Sequence, residues 1–448
     1  MANNLNYIKE AAKALGIPDR KEYGDPLSLI PGNLYDYVIQ RHLADRAGPH
    51  YDIRFGPEGE KLFSFASRYL ANPGEKRLAV QQPLHDSEYQ HFEGVIPSGY
   101  GKGSVSTHDI GKILITKKTP GTLHFTVAHS KYPERFVLVK GTGKNWLLVN
   151  TTPTDPIKET KVKYKILSED KVQDVLNGQY SVSPKVDGAS TLIKLMKDNV
   201  DLFSYRTSTS GKPIFHTEKV LQTQVPIPKQ FRGSILKGEL YGVQDGNVIR
   251  PNELSGILNS SLQNALTTQK EKGIDLKTGL FDILQKGKQS VSEMPFAERQ
   301  KLLKEVLQVL PEDKFKMISQ TTNPQEAQDL WDSIKSKAHP LTSEGIVAQK
   351  DNVPPVKVKI TPETKVYIRN IFPGTGKYTN SAGGFEYSHS ATGPIIGRIG
   401  TGFSDEDRLS MRNSPQDWVN RVARVKVQEQ YPKTQAYRMP VFLSRYEG

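Results

Sequence analysis

The chain has 448 residues, too many for one ordinary hydrophobic core, so several domains are expected. It contains no cysteine, which excludes disulfides, thiolate metal sites and cysteine nucleophiles, and fits a cytoplasmic protein. The net charge of +13 points to a polyanionic partner, because surface Lys and Arg release counterions from a phosphate backbone; no apolar run reaches a membrane span. In chain order, Ile8, Ala11, Ala12 and Leu15 fall on one face of a short N-terminal helix. From Tyr35 to Asn150 short β-rich runs (Lys112–Thr116, Thr122–Thr126, Phe136–Val139, Trp146–Val149) alternate with turns at Pro120-Gly121 and Tyr132-Pro133. Short strands at that spacing predict a compact β-barrel over residues 1–152. Residues 153–161, rich in Thr, Pro and charge, read as a linker.

Residues 162–360 mix strands with helices and predict an α+β domain. Leu302, Leu303, Val306, Leu307 and Leu310 make a helical stripe, and Asn323-Pro324 is an N-cap and first-turn pair for a second helix. Residues 361–448 turn β-rich again, with one helix opened by Ser404 and Asp407 as a capping box and a strand over Arg424–Val427. Five or so strands and one helix in that length suit a small OB-fold.

The chemistry centres on Lys185-Val186-Asp187-Gly188. A lysine amine attacks only when deprotonated; its ordinary pKa of about 10.4 is lowered by burial and nearby cations. Standing alone, this tetrapeptide reads as a surface lysine before a turn. Its context is different. Tyr205-Arg206-Thr207, Leu236-Lys237-Gly238-Glu239, Gly279-Leu280-Phe281-Asp282-Ile283, Ser343-Glu344-Gly345 and Val356-Lys357-Val358-Lys359 follow in order. Lys357 and Lys359 alternate along a strand and share a face. Glu239 and Glu344 offer carboxylates to Mg²⁺, a hard cation that prefers oxygen. Gly-Lys pairs occur at Gly101, Gly111, Gly143, Gly211, Gly287 and Gly376, but none is followed by Ser or Thr, so a P-loop ATPase is excluded.

In that order the motifs resemble those of the covalent nucleotidyltransferases, specifically the ATP-dependent DNA ligases. The resemblance implies Lys185 as the nucleophile that carries AMP, with Asp187 beside it. It implies Arg206, Glu239, Phe281, Glu344, Lys357 and Lys359 as nucleotide or metal contacts, with Phe281 stacking on adenine. Tyr437-Arg438-Met439-Pro440 resembles the last motif and assigns Arg438 to the leaving pyrophosphate. Ser183 and Ser190 stand where the family often has glutamate and arginine, and the chain stops at Gly448 without the usual closing acid and lysine.

In the N-terminal region, His50 and Asp52 alternate along one strand and His42 lies across a polar turn, a His-His-Asp set that suits Mn²⁺ or Zn²⁺. Arg54 shares that face and suits a phosphate. With Lys76–Val80, His85, Tyr89 and Phe92–Pro97, this stretch resembles the 3′-phosphoesterase module of bacterial ligase D. That resemblance implies His42, His50 and Asp52 as metal ligands. It places phosphate contacts at Arg54, Arg77 and Tyr89, and a catalytic acid or transition-state donor at His85. The stretch Leu43–Pro49 is longer than the family's common form.

The expectation is an enzyme that seals 5′-phosphate/3′-hydroxyl nicks through lysyl-AMP and heals 3′ ends. It would use ATP and Mg²⁺ in one part and Mn²⁺ or another divalent metal in the other. Its partner would be nicked or broken duplex DNA, met as a monomer away from any membrane. The alternatives are an RNA ligase or other covalent nucleotidyltransferase, and an N-terminal domain that only holds DNA.

Overall fold

The computed structural model describes residues 22–130, 132–155, 163–360, 362–427, 430–431 and 433–446. The helix expected around Ile8 to Leu15 and most of the expected linker lie outside those residues. The architecture is a sheet-rich mixture of α and β. Among the described residues no helix is long and apolar enough to cross a membrane.

Nine strands form the first sheet: β1 (Leu34–Ala44), β2 (Gly48–Gly56), β3 (Leu62–Ser67), β4 (Lys76–His85), β5 (Gly94–Ile96), β6 (Gly103–Thr119), β7 (Thr122–Val127), β8 (Arg135–Lys140) and β9 (Asn145–Asn150). Their order is β1-β2-β3-β4-β9-β8-β7-β6-β5, and β1 also pairs with β6. Side chains alternate across a strand. Tyr35, Tyr37 and Ile39 of β1, with Ile53 and Phe55 of β2, therefore enter a core completed by Phe65, Phe125 and Trp146. Gln40, His42, Asp52 and Arg54 are left on the opposite face.

The middle segment carries β10 (Lys165–Leu167), β11 (Ser181–Pro184), β12 (Ala189–Leu195), β13 (Val200–Thr207), β14 (Pro213–Phe215), β15 (Ile235–Gln244), β16 (Asn247–Val248), β17 (Asp275–Lys286), β18 (Gln289–Ser290), β19 (Phe315–Met317), β20 (Gly345–Gln349) and β21 (Val356–Lys359). One sheet has the order β10-β21-β20-β11; the other runs β14-β13-β12-β15-β17-β18, with β16 on β15 and β19 on β17. The helix Phe296–Leu307 buries Leu303 and Val306 in the core of the larger sheet, as the apolar stripe requires. The helix Pro324–Lys335 buries Ala327, Trp331 and Ile334 on the smaller sheet, and the Asn323 side chain accepts from the amides of Gln325 and Glu326. The last segment has β22 (Glu363–Pro373), β23 (Ala382–Ser388), β24 (Gly397–Ile399), β25 (Val422–Lys426) and β26 (Val441–Arg445), in the order β24-β23-β22-β25-β26. Its helix Asp405–Asn413 opens with the expected capping box, Ser404 and Asp407 bonding each other's backbone amides.

The first sheet packs directly on the middle segment. Arg135 of β8 is buried and bonds Asp201 of β13 at 2.6 Å and Glu218 at 2.5 Å, and its guanidinium lies 4.3 Å from the centre of the Phe215 ring. Around it the Gln224 amide donates to the Thr116 carbonyl and the Gln263 amide to the Ala128 carbonyl.

Candidate active sites

Lys185 sits just past β11, where the edges of the two middle sheets face one another. Its amide donates to the Gly345 carbonyl at 2.8 Å, which fixes the lysine backbone to the start of β20. Gly345 has φ of +143° and lies against the Val358 carbonyl, so a side chain there would separate β20 from β21. This crossing brings the Lys185 ammonium onto one oxygen of Glu344, while Lys359 Nζ lies 2.7 Å from the other. Burial acts to raise the Glu344 pKa, but Lys185 and Lys359 outweigh it and hold the carboxyl below its usual range.

Glu239 of β15 approaches from the opposite sheet. Gly188 makes the approach possible, since a Cβ there would meet the Leu240 carbonyl oxygen at 2.4 Å and Glu239 Cγ at 2.9 Å. Ser190 Oγ donates to Glu239 at 2.9 Å. Burial, with repulsion from Glu344, pushes the Glu239 carboxyl up to about 7, against the pull of Ser190, Lys185 and Lys357. Lys357 is pushed down, first by burial and then by Lys185, and its Nζ stands 3.5 Å from the centre of the Tyr164 ring.

Two clefts flank the lysine. One, of about 90 Å³, is lined by Tyr164, Lys185, Ser190, Glu239, Phe281 and Lys357 among others. The other, of about 600 Å³, is lined on its working side by Asp187, Arg250, Glu344, Lys359 and Arg438. The structure thus gathers eight of the residues singled out in the sequence: Lys185, Asp187, Glu239, Phe281, Glu344, Lys357, Lys359 and Arg438. It does not gather Arg206, which is exposed near the end of β13 and lines neither cleft. Tyr164, Gln320 and Arg250 were missed by sequence reasoning. Tyr164 and Gln320 belong to no motif, and only Arg250, just before a proline, carried a local signal.

The second cluster lies on the outer face of β1 and β2. The register pairs His42 with His50 and Gln40 with Asp52. His42 Nδ1 is 3.4 Å from Asp52, His50 Nε2 is 3.5 Å from it, and the three ligand atoms lie within 4.8 Å of one another. The remaining ring nitrogens are engaged, His42 Nε2 with the Gly101 carbonyl and His50 Nδ1 with the Gly48 carbonyl, each at 2.9 Å. A carbonyl only accepts, so these nitrogens carry protons; the nitrogens facing Asp52 donate to it when the rings are protonated, and would offer lone pairs to a cation bound in their place. Burial would raise Asp52, but the two histidines and Arg54 reverse that and hold its pKa far below the usual range. The hydrogen bond to Asp52 raises His50.

Arg54 donates to Asp52 at 3.0 Å and to Gln40, and its guanidinium is 5.7 Å from the Tyr89 ring centre. His85 meets Tyr89 edge-on at 5.1 Å, and burial, reinforced by Arg54, lowers its pKa. Arg77 does not join this group. It lies near the opposite end of β4 from His85, on the order of 25 Å away at a strand's rise, and bonds Glu75 at 2.6 Å. Gln40 went unassigned in the sequence, yet it is fully buried and ties Arg54 to the backbone carbonyls of Tyr89 and Phe92.

Residues 40–140 match the family model described as DNA Ligase D 3′-phosphoesterase domain, and residues 162–354 match that of the ATP dependent DNA ligase domain. The two matches follow one another along the chain in that order. It is 25% identical over 410 residues to the multifunctional non-homologous end joining protein LigD of Mycolicibacterium smegmatis, covering 85% of this chain and 50% of that protein. It is 26% identical over 246 residues to a DNA ligase of Thermococcus fumicolans, covering 52% of this chain and 42% of that one. With the LigD of Pseudomonas aeruginosa it shares 34% identity over 127 residues, 26% of this chain and 15% of that protein. The chain spans half or less of the length of these relatives.

Proposed function

We propose that this chain is an ATP-dependent DNA ligase that seals 5′-phosphate/3′-hydroxyl nicks, with an N-terminal metal-dependent 3′-phosphoesterase. The observation that carries the ligase reading is the convergence of Lys185, Lys359 and Glu344 beside the buried Glu239. Lys185 Nζ attacks the α-phosphorus of ATP. A phosphorus–nitrogen bond forms, the bond to the β-phosphate oxygen breaks, and pyrophosphate leaves past Lys359 and Arg438. AMP then moves to the 5′-phosphate at a nick, and the 3′-hydroxyl displaces it. Phe281 and Tyr164 form the walls of the cleft that takes the adenine. Catalysis rests on positioning and on cations that offset phosphoryl charge. Arg206, at the exposed end of β13, would reach the nucleotide from outside the clefts.

The donor sets fit divalent cations. Glu239 and Glu344 would hold Mg²⁺, and the ionisation of Glu239 would be favoured by it. His42 Nδ1, His50 Nε2 and the Asp52 carboxylate would hold Mn²⁺ or a similar ion, which when bound supplies Lewis-acid polarisation of a phosphate. Arg54, steered by Gln40, grips the phosphate oxygens with Tyr89 nearby, and His85 donates toward the leaving oxygen. Arg77 falls outside this arrangement.

The N-terminal domain is read as residues 1–152 and as a β-barrel, supported by β1 pairing with both β2 and β6. The adenylation domain is read as 162–360, and 361–448 as an OB-fold, supported by its five-stranded sheet and single capped helix. The absence of cysteine supports action in the cytoplasm.

Two assays test the reading. With labelled ATP and Mg²⁺ the protein is expected to retain covalent AMP and Lys185→Ala to retain none; an unlabelled wild-type protein would sink the ligase assignment. A 3′-phosphate strand with Mn²⁺ is expected to become 3′-hydroxyl, and His42→Ala to slow this at least a hundredfold; an unchanged rate would leave the domain as a DNA-holding module. Matched nicks with DNA or RNA strands separate a DNA from an RNA ligase.

A further inference from the structure

One end of the smaller cleft is closed by a side chain that belongs to no motif. Ser183, Lys185, Phe281 and Gln320 all line this space. The amides of Val182 and Thr321 donate to each other's carbonyls at 2.8 and 3.0 Å, an antiparallel bridge that sets Gln320 across from Ser183. From there the Gln320 side chain reaches toward Ser181, at the end of β11 away from Lys185, where Ser181 Oγ donates to Gln320 Oε1 at 3.1 Å. Ser181 and Ser183 alternate along β11 and so share the face that looks into the cleft.

The same amide is fixed from the larger sheet. Gln300 Nε2, from the helix Phe296–Leu307, donates to the Phe281 carbonyl at 2.9 Å. Gln320 Nε2 donates to that carbonyl at 3.3 Å and to Gln300 Oε1 at 3.2 Å. A carbonyl only accepts, so both amide nitrogens must face it. Turning the Gln320 amide over would set its oxygen against the oxygens of Phe281 and Gln300. Both Gln320 protons are therefore committed, and Ser181 takes one of the two lone pairs on its oxygen. Whichever edge of this half-buried amide borders the cleft, its remaining capacity is to accept.

Adenine carries a donor at its 6-amino group, whereas a 6-oxo purine carries an oxygen there. The first would complete the Gln320 oxygen. The second would set two acceptors face to face and leave both unpaired, which is costly away from water. Ser183 and Gln349 border the same space. Ser183 Oγ holds only a 3.4 Å bond to the Val347 carbonyl, and a hydroxyl turns to suit either base. We propose that Gln320 reads the purine 6-position when the nucleotide is loaded, held as an acceptor by Gln300 and the Phe281 carbonyl, so that the cleft selects a 6-amino over a 6-oxo purine. This rests on the lysyl-AMP reading above and assigns its base selectivity to one side chain.

The test follows lysyl-nucleotide formation on the full chain by intact mass, at limiting nucleotide with Mg²⁺, using ATP, purine riboside triphosphate and inosine triphosphate. Loss of the 6-amino group is expected to slow loading at least tenfold, and a 6-oxo group to slow it about a hundredfold, because a site built around a hydrogen bond rejects an analogue that lacks it. Gln320→Met removes the amide at similar length. It is expected to slow ATP at least tenfold and to bring the three rates within threefold of one another, whereas a merely structural Gln320 would slow all three equally. Gln349→Met is expected to leave their ratios unchanged. Equal wild-type rates, an undiminished ATP preference in Gln320→Met, or a collapse of the ratios in Gln349→Met instead overturns the inference and leaves the ligase reading standing. No adduct with any of the three overturns both. Should Gln320→Met fail to fold, judged by circular dichroism, Gln300→Met decides: it unpins the Gln320 amide and is expected to narrow the preference for ATP over inosine triphosphate at least threefold, and an unchanged ratio overturns the inference.

Discussion

At Gly188 the backbone of one sheet passes so close to Leu240 and Glu239 that only a hydrogen fits in place of a side chain. A methyl group 2.4 Å from the Leu240 carbonyl oxygen is far inside contact distance, so the entry to β12 and the β15 backbone must part there, and Glu239, next to Leu240 on β15, moves with it. The Glu239 side chain, which accepts from Ser190 Oγ, is displaced with that backbone. Displacement of a reacting group by about 1 Å costs on the order of 10²-fold in rate. Gly188→Ala is therefore expected to slow single-turnover formation of lysyl-AMP by about that factor while leaving the thermal midpoint within a few degrees; an unchanged rate would show that Glu239 is not positioned through this contact. Gly188 was legible in the sequence because a glycine after an acid marks a turn. What the sequence did not carry was the reason, since Glu239 and Leu240 are on a different strand. The same limit explains Arg206. A motif places an arginine on β13, but exposure depends on how far that strand projects beyond its neighbours.

Elements with a strong local signal were the most legible. The stripe over Leu302–Leu307 lies on the helix Phe296–Leu307, with Leu310 buried just past its end, and Asn323-Pro324 and Ser404 capped helices as expected. Interactions between elements were not. Asp282, read only as part of the motif with Phe281, is bound by Arg299 at 2.8 and 3.1 Å and so fastens that helix to β17. The corner between β14 and the short helix Thr217–Val220 is another such place. His216 there is 7% exposed, and burial, with Lys219 close by, lowers its pKa to about 3. An unfolded histidine titrates near 6.5. Between those values the unfolded chain binds the extra proton, so the stability from a neutral His216 is complete above pH 6.5 and is lost as pH falls. Each unit is about 1.4 kcal/mol, so roughly 2 kcal/mol is lost by pH 5. Urea midpoints of wild type and His216→Gln should thus converge between pH 7 and pH 5; a constant gap would mean that His216 accepts its proton while folded.

For the whole molecule, the decisive contact joins the first sheet to the middle segment. Arg135 comes from a strand that the sequence resolves only as a β-rich run, and Asp201 and Glu218 lie in motif-poor text, so nothing local announces the pairing. Yet side-chain exposures of 10% for Arg135, 9% for Asp201 and 5% for Glu218 make it one of the most deeply buried charge clusters described. A buried ion cluster gives little net stability over an apolar replacement, because desolvation cancels much of the attraction. Removing one partner is different, since the others stay buried without a counter-charge. Arg135→Met leaves two carboxylates in that state, although Asn199 still donates to Asp201 and Thr126 to Glu218. The expected loss is roughly 3–5 kcal/mol, read as a lower urea midpoint and as faster proteolysis between the two segments. Adding Asp201→Asn and Glu218→Gln to Arg135→Met removes the stranded charge and should recover most of the loss. If Arg135→Met alone shifts neither readout, the first sheet and the middle segment are held together by the apolar contacts of Leu114, Ala128 and Leu262 rather than by charge.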